Sequence, residues 1–183
     1  MQIVIINSKG GCGKSTLALS IADVLDAQIV DHDPQGTLTV SATFTNRRSP
    51  VALEDANARF VVHDTPPYNG VEYKSLLSSA DLIIIPAKVG VPDLLAIKGV
   101  AEQLRSLKME GKAYVVFNEV RLPHNNTYKK VKAFYYNNYK DIKKAKTELS
   151  SLVSYRNVLE APISGKALQE VSSLLKEIGI DRF

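Results

Sequence analysis

The sequence predicts an α/β fold with a doubly wound, mainly parallel sheet and helices on both of its faces. Short apolar runs rich in β-branched residues alternate with stretches of helical length. These runs are continuous rather than alternating with polar residues, which is typical of strands buried on both faces. The predicted strands are Ile3–Ile6, Gln28–Val30, Phe60–His63, Leu82–Ile85 and Ala113–Phe117, with a further strand near Leu149–Tyr155.

Four helices are predicted between and after these strands. Pro92 suits a first helical turn, where its missing N–H group would have no partner. Leu168, Leu174 and Leu175 share one apolar face of the last helix, so we expect them to pack in the core. The predicted helices are Lys14–Leu25, Pro92–Leu107, Thr127–Tyr139 and Lys166–Ile178.

The composition is that of an ordinary globular protein, with 45% hydrophobic and 23% charged residues. A length of 183 residues suits one domain spanning residues 1–183. No apolar run approaches the roughly 20 residues that cross a bilayer, and Met1 leads into the first strand without a basic region. The only cysteine, Cys12, cannot form an internal disulfide, which fits a reducing compartment. We therefore expect a cytoplasmic protein that does not use a membrane.

A glycine-rich segment lies between the first predicted strand and the first predicted helix. Strand, glycine-rich loop and helix in this order are typical of a phosphate-binding P-loop. The glycines let successive backbone N–H groups point at phosphate oxygens, and the helix N-terminus adds partial positive charge. A glycine-rich turn without a ligand is the alternative, and it does not account for this order. The segment is Ser8-Lys9-Gly10-Gly11-Cys12-Gly13-Lys14-Ser15-Thr16.

The side chains of this segment predict MgATP as the ligand. Lys14 is placed to neutralise the β- and γ-phosphates, and the Ser15 hydroxyl is placed to ligate Mg²⁺. Thr16 is expected at the α-phosphate. Ser8 stands where the strict P-loop pattern has glycine, and Cys12 occupies the variable position, where a redox role is the less favoured alternative.

Two acidic motifs follow in the order that this chemistry requires. Asp64 ends the strand Phe60–His63, so its carboxylate emerges at the sheet edge where open α/β sheets bind ligands, and it can hold Mg²⁺ through water. Asp31 and Asp33 follow the second strand at the same edge and on one face. Either of them can orient a water molecule or complete the outer shell of the metal. Single aspartates are more often loop caps, but these three with the P-loop predict a hydrolytic site.

Together these motifs resemble the deviant Walker A ATPases of the ParA/MinD family. The additional lysine, Lys9, is the hallmark of that family. The resemblance implies a P-loop NTPase with a Rossmann-like architecture, and it covers nearly the whole chain. The matching segments are Lys9–Thr16, Asp31–Gln35 and Asp64–Pro67, with weaker similarity at Pro86, Pro92–Leu95, Asn118 and Glu160–Lys166.

The family holds ATP between two subunits, and the resemblance assigns roles accordingly. It implies that Lys9 reaches the phosphates bound by the partner subunit, much as an arginine finger does. It also implies that Asp33 is needed for hydrolysis and that Asn118 contacts adenine. The predicted site residues are Lys9, Lys14 and Asp33 for catalysis, Ser15, Asp33 and Asp64 for the metal, and Lys9, Gly10, Gly11, Cys12, Gly13, Lys14, Ser15, Thr16 and Asn118 for the nucleotide.

The stretch from Arg121 to Lys146 contains eight basic residues and one acidic residue, although the whole chain has a net charge of only +4. Such a stretch either is a solvated face or binds DNA phosphates without reading sequence. ParA dimers bind chromosomal DNA nonspecifically, so the resemblance favours DNA, and Arg156 lies near a DNA-contacting arginine of relatives. The predicted DNA-binding residues are Lys129, Lys130, Lys132, Lys140, Lys143, Lys144 and Arg156.

The resemblance is greatest to small ParA-type ATPases without an N-terminal helix-turn-helix, because the first strand starts at Ile3. It implies an ATPase for plasmid or chromosome partitioning whose MgATP-bound dimer binds DNA and is reset by slow hydrolysis. Autorepression is not expected, and the short segment between Gln35 and Phe60 predicts a reduced surface for a partner protein. The implied partners are a second copy, nonspecific DNA and a ParB-like centromere-binding protein, and the implied location is the nucleoid.

Other functions use the same scaffold. A dethiobiotin-synthetase-type ligase would need a pocket for an acceptor substrate, and a tyrosine-kinase regulator would need a tyrosine cluster beyond Tyr155. A MinD-like membrane protein would need a basic row on its last helix, whose polar face instead carries Glu170, Lys176 and Glu177. The three histidines, His32, His63 and His124, lack the spacing of metal ligands and receive no role.

Overall fold

A computed structural model describes residues 1–45, 47, 50, 57–67, 73–121 and 125–180. Strands and helices alternate along these residues as the sequence predicts. The strands are β1 (Gln2–Ile5), β2 (Gln28–Asp31), β3 (Val61–Asp64), β4 (Leu82–Lys88), β5 (Ala113–Asn118) and β6 (Lys143–Lys144). The helices are α1 (Lys14–Leu25), α2 (Thr37–Phe44), α3 (Lys74–Ser79), α4 (Val91–Leu107), α5 (Asn126–Asn138), α6 (Val153–Arg156) and α7 (Gly165–Glu177), with a short 3₁₀ helix at Glu110–Lys112.

The six strands form one sheet in the order β2-β3-β1-β4-β5-β6, and every pair of neighbours is parallel. This confirms the predicted α/β class. From β1 the chain runs outward to β2, and it later crosses past β1 to reach β4 on the other side. Ligands of open parallel sheets bind at such a reversal of strand order, outside the carboxyl ends of the strands. The topology therefore places the glycine-rich loop, which follows β1, at the expected binding edge.

Alternate residues of each strand supply two hydrophobic cores, one on each face of the sheet. On one face Ile3, Ile5 and Val62 pack with residues of α1 and α7. On the other face Val4 and Ile83 pack with residues of α3, α4 and α5. Because both faces are covered, the central strands are mainly apolar, as their continuous runs indicated.

Helix α7 packs its apolar face against the sheet and α1. Leu174 and Leu175 are buried as predicted. Leu168 is 41% exposed, so its predicted core position is wrong. It follows Ala167, which occupies the buried side of that turn. No helix among the described residues has the length and apolar character needed to cross a membrane.

The predicted strand near Leu149–Tyr155 is wrong. Among the described residues, the segment contacts the sheet only briefly, through the Leu149 N–H, which donates to the Phe117 carbonyl at 2.9 Å, and an isolated bridge between Val120 and Ser150, after which the chain turns into α6. Two features end the pairing: Glu119 has a positive φ of 52°, which breaks β5, and the Ser150 N–H group donates to the Glu170 carboxylate at 2.9 Å. The sixth strand lies instead at Lys143–Lys144, inside the lysine-rich stretch.

Candidate nucleotide-binding site

The loop that follows β1 is anchored at its start by Asn7. This buried side chain donates from Nδ2 to the Pro86 carbonyl at 2.7 Å, and its Oδ1 accepts from the Lys9 N–H at 3.0 Å. Pro86 belongs to β4, the neighbour of β1. Asn7 therefore fixes the loop to two central strands, a role that sequence analysis did not identify.

Gly13 ends the loop in a conformation that only glycine adopts readily. Its φ is 97°, and a Cβ atom added there would lie 2.0 Å from Nδ2 of Asn118. That nitrogen donates to the Cys12 carbonyl at 3.1 Å, and Asn118 Oδ1 accepts from the Glu119 N–H at 2.8 Å. The glycine thus allows the buried Asn118 to clamp the loop from β5.

Lys14 begins α1 and lies across the loop, with its Nζ donating to the Lys9 carbonyl at 3.1 Å. It is only 7% exposed, which is unusual for lysine unless an anion is bound nearby. The helix N-terminus adds partial positive charge at the same place. Together they border a cavity of about 390 Å³, the phosphate cavity, lined by Gly10, Gly11, Gly13, Lys14, Ser15, Thr16, Asp33, Gln35 and Pro67.

Three aspartates come together beside this cavity. Asp31 and Asp64 are register partners at the ends of β2 and β3. Asp31 Oδ1 accepts from the Asp33 N–H at 3.0 Å, and Asp33 Oδ1 accepts from the Gln35 N–H at 2.9 Å. The structure therefore brings the predicted Asp33 and Asp64 to the P-loop, and it adds Asp31 as the residue that fixes the Asp33 backbone.

Two buried carboxylate oxygens in this cluster, Asp31 Oδ2 and Asp64 Oδ1, have no hydrogen-bond partner in the part of the chain that the structure describes. Burial raises the pKa of Asp64 to about 7; a hydrogen bond from Ser15 and the charge of Lys14 oppose this shift, whereas the charge of Asp31 adds to it. Burial also raises the pKa of Asp31, against hydrogen bonding from the Asp33 N–H. The cluster is thus short of positive charge.

Mg²⁺ fits this deficit. Orphaned carboxylate oxygens beside the Ser15 hydroxyl are ligands of the kind that Mg²⁺ uses. Among the described residues, no group of three or more histidine, cysteine, aspartate or glutamate side chains is placed to hold a metal ion by itself. Mg²⁺ does not need one, because it keeps several waters and takes further oxygens from a bound nucleotide.

A second cavity of about 200 Å³ adjoins the phosphate cavity at Thr16, which lines both. Asn118, which the family resemblance predicts to contact adenine, borders this second cavity, and that contact stays a prediction. The lining comprises Thr16, Asn118, Glu119, Ser150, Ser151, Leu152, Tyr155 and Arg156.

Sequence analysis missed most of this second lining. Ser150 and Tyr155 are held by Glu170 of α7, which accepts from the Ser150 N–H at 2.9 Å, the Ser150 hydroxyl at 2.6 Å and the Tyr155 hydroxyl at 3.2 Å. Glu170 was interpreted only as part of a polar helix face. The sequence gives no spacing signal for it, because the contact joins segments that meet only in the fold.

Lys9 is held within its own chain. Its Nζ is 2.6 Å from Asp93 Oδ2, and the Asp93 side chain is only 4% exposed. Asp93 Oδ1 accepts from the Lys88 N–H at 2.9 Å, which fixes the carboxylate in the first turn of α4. The residue that the family resemblance assigned to a partner's phosphates therefore forms an internal ion pair in the single chain.

The predicted DNA-binding residues differ in their exposure and in their contacts. Those on α5 and in the following turn, Lys129, Lys130 and Lys140, are exposed, as is Lys143. The Lys144 side chain is only 2% exposed and pairs with Glu148 at 3.1 Å, so it is not available to a surface ligand. Lys132 donates to the Tyr128 hydroxyl at 3.1 Å, and Arg156 lies on α6 at the second cavity.

Comparison with known sequences identifies a family. The CobQ/CobB/MinD/ParA nucleotide binding domain matches residues 3–168 of the chain, which confirms the family expected from the motifs. Two curated relatives are each described as maintenance of carboxysome distribution protein A. The one from Halothiobacillus neapolitanus is 30% identical over 141 residues, which are 64% of this chain and 65% of the relative. The one from Gloeobacter kilaueensis is 31% identical over 114 residues, which are 50% of this chain and 51% of the relative.

Solved structures share the fold at low sequence identity. A plasmid partition protein of Borrelia burgdorferi bound to AMPPNP has a TM-score of 0.75 at 15% identity, over 96% of this chain and 97% of that one. A McdA–ATP complex from Cyanothece has a TM-score of 0.76 at 14% identity, over 100% and 97%. MinD of Pyrococcus horikoshii with Mg-ADP has a TM-score of 0.63 at 14% identity, over 97% and 95%. The nucleotides in these structures are consistent with the predicted ATP and Mg²⁺.

Proposed function

The chain belongs to the CobQ/CobB/MinD/ParA family of nucleotide-binding domains, and from this premise we propose that it is a ParA-like ATPase for plasmid or chromosome partitioning. Its MgATP-bound form is a dimer that binds DNA nonspecifically, and slow hydrolysis returns it to the monomer. The proposal rests on one observation: Lys14, Ser15 and Asp33 line one phosphate cavity, and Lys14 Nζ donates to the carbonyl of the neighbouring loop residue Lys9.

ATP occupies the two adjoining cavities, with phosphates over the glycine-rich loop and the nucleoside beside Asn118. Lys14 supplies the main buried positive charge for the phosphates. Ser15 and Asp64, the latter through water, hold the Mg²⁺ that neutralises the phosphates. Binding of this cation also supplies the positive charge that the buried aspartates lack.

Asp33 is the proposed water-positioning residue. It lines the phosphate cavity, and its backbone is tied to Asp31 and to the turn before α2. A carboxylate held by a fixed turn can orient an attacking water without reorganising during the reaction. Asp33→Ala should therefore keep nucleotide binding and lose turnover.

Dimerisation requires Lys9 to exchange one anion for another. In the single chain its ammonium pairs with Asp93. In the dimer it pairs with the phosphates bound by the second subunit, where it stabilises the charge that develops during hydrolysis. The internal ion pair holds the Lys9 ammonium within its own chain until a second subunit with ATP is present.

The DNA-binding surface comprises the exposed lysines of α5 and the turn after it, with Lys132 and Arg156 as further candidates. Contacts from lysine to phosphate are independent of sequence and weaken with salt. A dimer presents two such surfaces, so binding gains from avidity. The proposed partners beyond DNA are a second copy and a ParB-like protein that loads the cargo. The curated relatives named for carboxysome distribution make a protein assembly the alternative cargo.

The geometry gives less support to an ATP-dependent ligase. A third cavity, of about 610 Å³, has room for an acceptor substrate, and its lining includes Arg121, Arg156 and Lys166. It shares Ser150, Ser151 and Arg156 with the second cavity, but none of its described lining residues borders the phosphate cavity. An acceptor there would lie on the nucleoside side, away from the γ-phosphate that it must attack.

One experiment tests the proposed function. Binding of the purified chain to random-sequence duplex DNA is measured without nucleotide, with ADP and with ATP, while phosphate release is followed in parallel. We expect DNA binding only with ATP and a slow release of phosphate that DNA does not abolish. ATP-independent DNA binding, or the absence of phosphate release, would contradict the proposal.

A further inference from the structure

Two histidines lie directly behind the aspartates of the phosphate site. His63 precedes Asp64 in β3 and is 1% exposed, and His32 stands between Asp31 and Asp33. Their rings stack with centroids 5.2 Å apart, and His32 Nε2 lies 2.9 Å from His63 Nδ1. Sequence analysis gave neither histidine a role, because the pair forms only when β2 and β3 lie side by side.

Gln2 of β1 sets the direction of the hydrogen bonds. Its Oε1 lies 2.6 Å from His63 Nε2, and an amide oxygen can only accept. His63 Nε2 therefore carries the hydrogen; in the neutral ring its Nδ1 then accepts, and His32 Nε2 donates to it. The result is a chain of two hydrogen bonds that joins three neighbouring strands, from His32 through His63 to Gln2.

The chain also reaches the segment that follows Asp64. Tyr73, at the start of α3, meets His32 edge-on with ring centroids 6.2 Å apart. His32 is thus packed between His63 on one side and Tyr73 on the other. The side chains of His63 and Tyr73 contact His32 directly, and Gln2 is linked to it through His63.

Strand geometry transmits this restraint to the aspartates. Successive side chains of a strand point to opposite faces, so His63 faces away from Asp64, and His32 faces away from its neighbour Asp31. The His32 N–H also donates to the Asp64 carbonyl at 2.9 Å, which extends the pairing of β2 with β3 by one residue. Holding the two imidazoles behind the sheet therefore holds the carboxylates in front of it.

A fully buried polar side chain is costly in a strand that is otherwise apolar, unless its hydrogen bonds are made. At His63 both ring nitrogens have hydrogen-bond partners in a defined geometry, and these hydrogen bonds offset the free-energy cost of burying the ring. Valine at this position would satisfy the core equally well, but it would leave the His32 ring without its fixed partner. The arrangement favours orientation rather than core stability as the role of the pair.

We propose that His32, held by His63 and Gln2, is a positioning residue that sets the orientation of Asp33 in the phosphate site. This inference rests on the proposed function, in which Asp33 orients the attacking water. His32 is not itself a nucleotide-contacting residue in this proposal. It acts through the backbone that joins it to Asp31 and Asp33. A loss of the hydrogen bond between the two rings should then lower turnover without changing ATP affinity.

Matched substitutions of His63 test which ring nitrogen matters. Asn places an oxygen acceptor at the position of Nδ1 and so keeps the bond from His32, whereas Gln places its amide at the position of Nε2 and keeps only the contact with Gln2. We expect His63→Gln to lower kcat about tenfold, because a small misplacement of a positioned group has effects of this order or larger. His63→Asn should retain most of the activity, and both variants should bind ATP as the parent does.

The same two substitutions, with the opposite expected outcomes, can be made at His32. Gln keeps a donor at the position of Nε2, which faces His63, whereas Asn does not reach it. We expect His32→Gln to retain turnover and His32→Asn to lose it to the same extent as His63→Gln. Rates are taken per bound ATP, so that a partly unfolded variant is not counted as inactive. Parent-like rates in all four variants, or an equal loss in all four, would overturn the proposal.

A readout that does not depend on activity completes the test. The amide of Asp33 donates to Asp31 Oδ1, so its NMR signal and its hydrogen-exchange rate report the orientation of the turn in the nucleotide-free protein. We expect a shifted signal and faster exchange in His63→Gln but not in His63→Asn. An unchanged Asp33 amide in His63→Gln would overturn the positioning role, even if the parent proved unable to hydrolyse ATP. Failure of the parent to hydrolyse ATP would overturn the proposed function alone.

Discussion

The phosphate site and the lysine-rich stretch differ in how their charged residues are arranged. In the phosphate site, residues from the segments that follow β1, β2 and β3 line one cavity. In the stretch from Lys129 to Lys146, the lysines are divided among α5, a turn and β6, and one of them is buried. The P-loop pattern demands a particular backbone conformation, whereas a run of lysines demands none. The P-loop motif, which requires a particular backbone conformation, therefore predicted where its side chains lie in the structure. The run of lysines did not predict where the individual lysines lie.

Two buried lysines make the same contrast. Both donate to a backbone carbonyl, Lys14 to that of Lys9 and Lys144 to that of Ala145, but Lys144 also pairs with the Glu148 carboxylate and lies over the Phe117 ring. Burial lowers the pKa of Lys144, and the hydrogen bond to Glu148 opposes this shift. The charge of Lys144 is thus paired with a carboxylate, whereas Lys14 lines a cavity in which it can pair with an anion. The hydrogen-bonding and ion-pair partners of a buried lysine, rather than its burial, distinguish a ligand-binding role from a structural one.

The largest expected effect concerns the charge deficit of the phosphate site. The raised pKa of Asp64 means that the folded state holds this proton more tightly than the unfolded chain does. Stability of the protein without metal and nucleotide should therefore fall as the pH rises from about 4 to about 7, by up to roughly 4 kcal/mol. Denaturant unfolding with a chelator at pH 5 and pH 8 measures this. Asp64→Asn should remove most of the difference, and an equal slope in parent and variant would contradict the assignment.

Lys14→Ala should weaken ATP binding by a factor on the order of 100, because a charge-assisted hydrogen bond to phosphate contributes up to about 3 kcal/mol. Equilibrium binding of a fluorescent ATP analogue measures this. The matched control is Lys98→Ala on α4, an exposed lysine that pairs with Glu102 at 3.9 Å. The control should bind ATP normally. An equal loss in both variants would indicate general damage to the fold rather than loss of a phosphate contact.

The next effect distinguishes the two anions proposed for Lys9. Asp93→Asn keeps an acceptor for the Lys88 N–H but removes the charge that holds Lys9. We expect ATP-dependent dimerisation to tighten by up to about fivefold, because an ion pair of this kind contributes on the order of 1 kcal/mol that the dimer no longer has to replace. Lys9→Ala should bind ATP as a monomer and fail to dimerise. Light scattering with a nonhydrolysable analogue measures both, and weaker dimerisation in Asp93→Asn would contradict the proposed exchange.

Much of the fold followed from the sequence because the strands are buried on both faces and the helices have clear boundaries. Helix α1 was predicted with its observed bounds, and α4, α5 and α7 to within one residue. Helices α2, α3 and α6 were missed because they are short and have few buried residues, so they give little periodic signal. Residues that come together only because their strands are neighbours in the sheet, such as the two histidines, could not be predicted from sequence spacing either.

The residues of the candidate site likewise divide into those that the sequence predicted and those that it did not. Residues of the P-loop and the aspartates at strand ends were found because topology brings all strand ends to one edge. Asn7, Asp93 and Glu170 were not assigned functional roles, because each acts through a contact between distant segments. His124 and part of the segment between Gln35 and Phe60 lie outside the described residues, so the expected reduction of the partner surface there stays a prediction.

The smallest expected effect tests the lysine surface one residue at a time. Lys130→Ala on exposed α5 should weaken binding of the ATP-bound protein to duplex DNA several-fold and reduce the salt slope by about 1, because one phosphate contact is lost. Lys144→Met should leave both quantities unchanged and instead lower the free energy of unfolding by about 1–3 kcal/mol, since Glu148 loses its nearest cation. Salt titrations of DNA binding and denaturant unfolding on both variants separate these outcomes. If Lys144→Met flattened the salt slope as Lys130→Ala does, the buried lysine would have to become exposed on DNA, and the surface would need redefinition around β6.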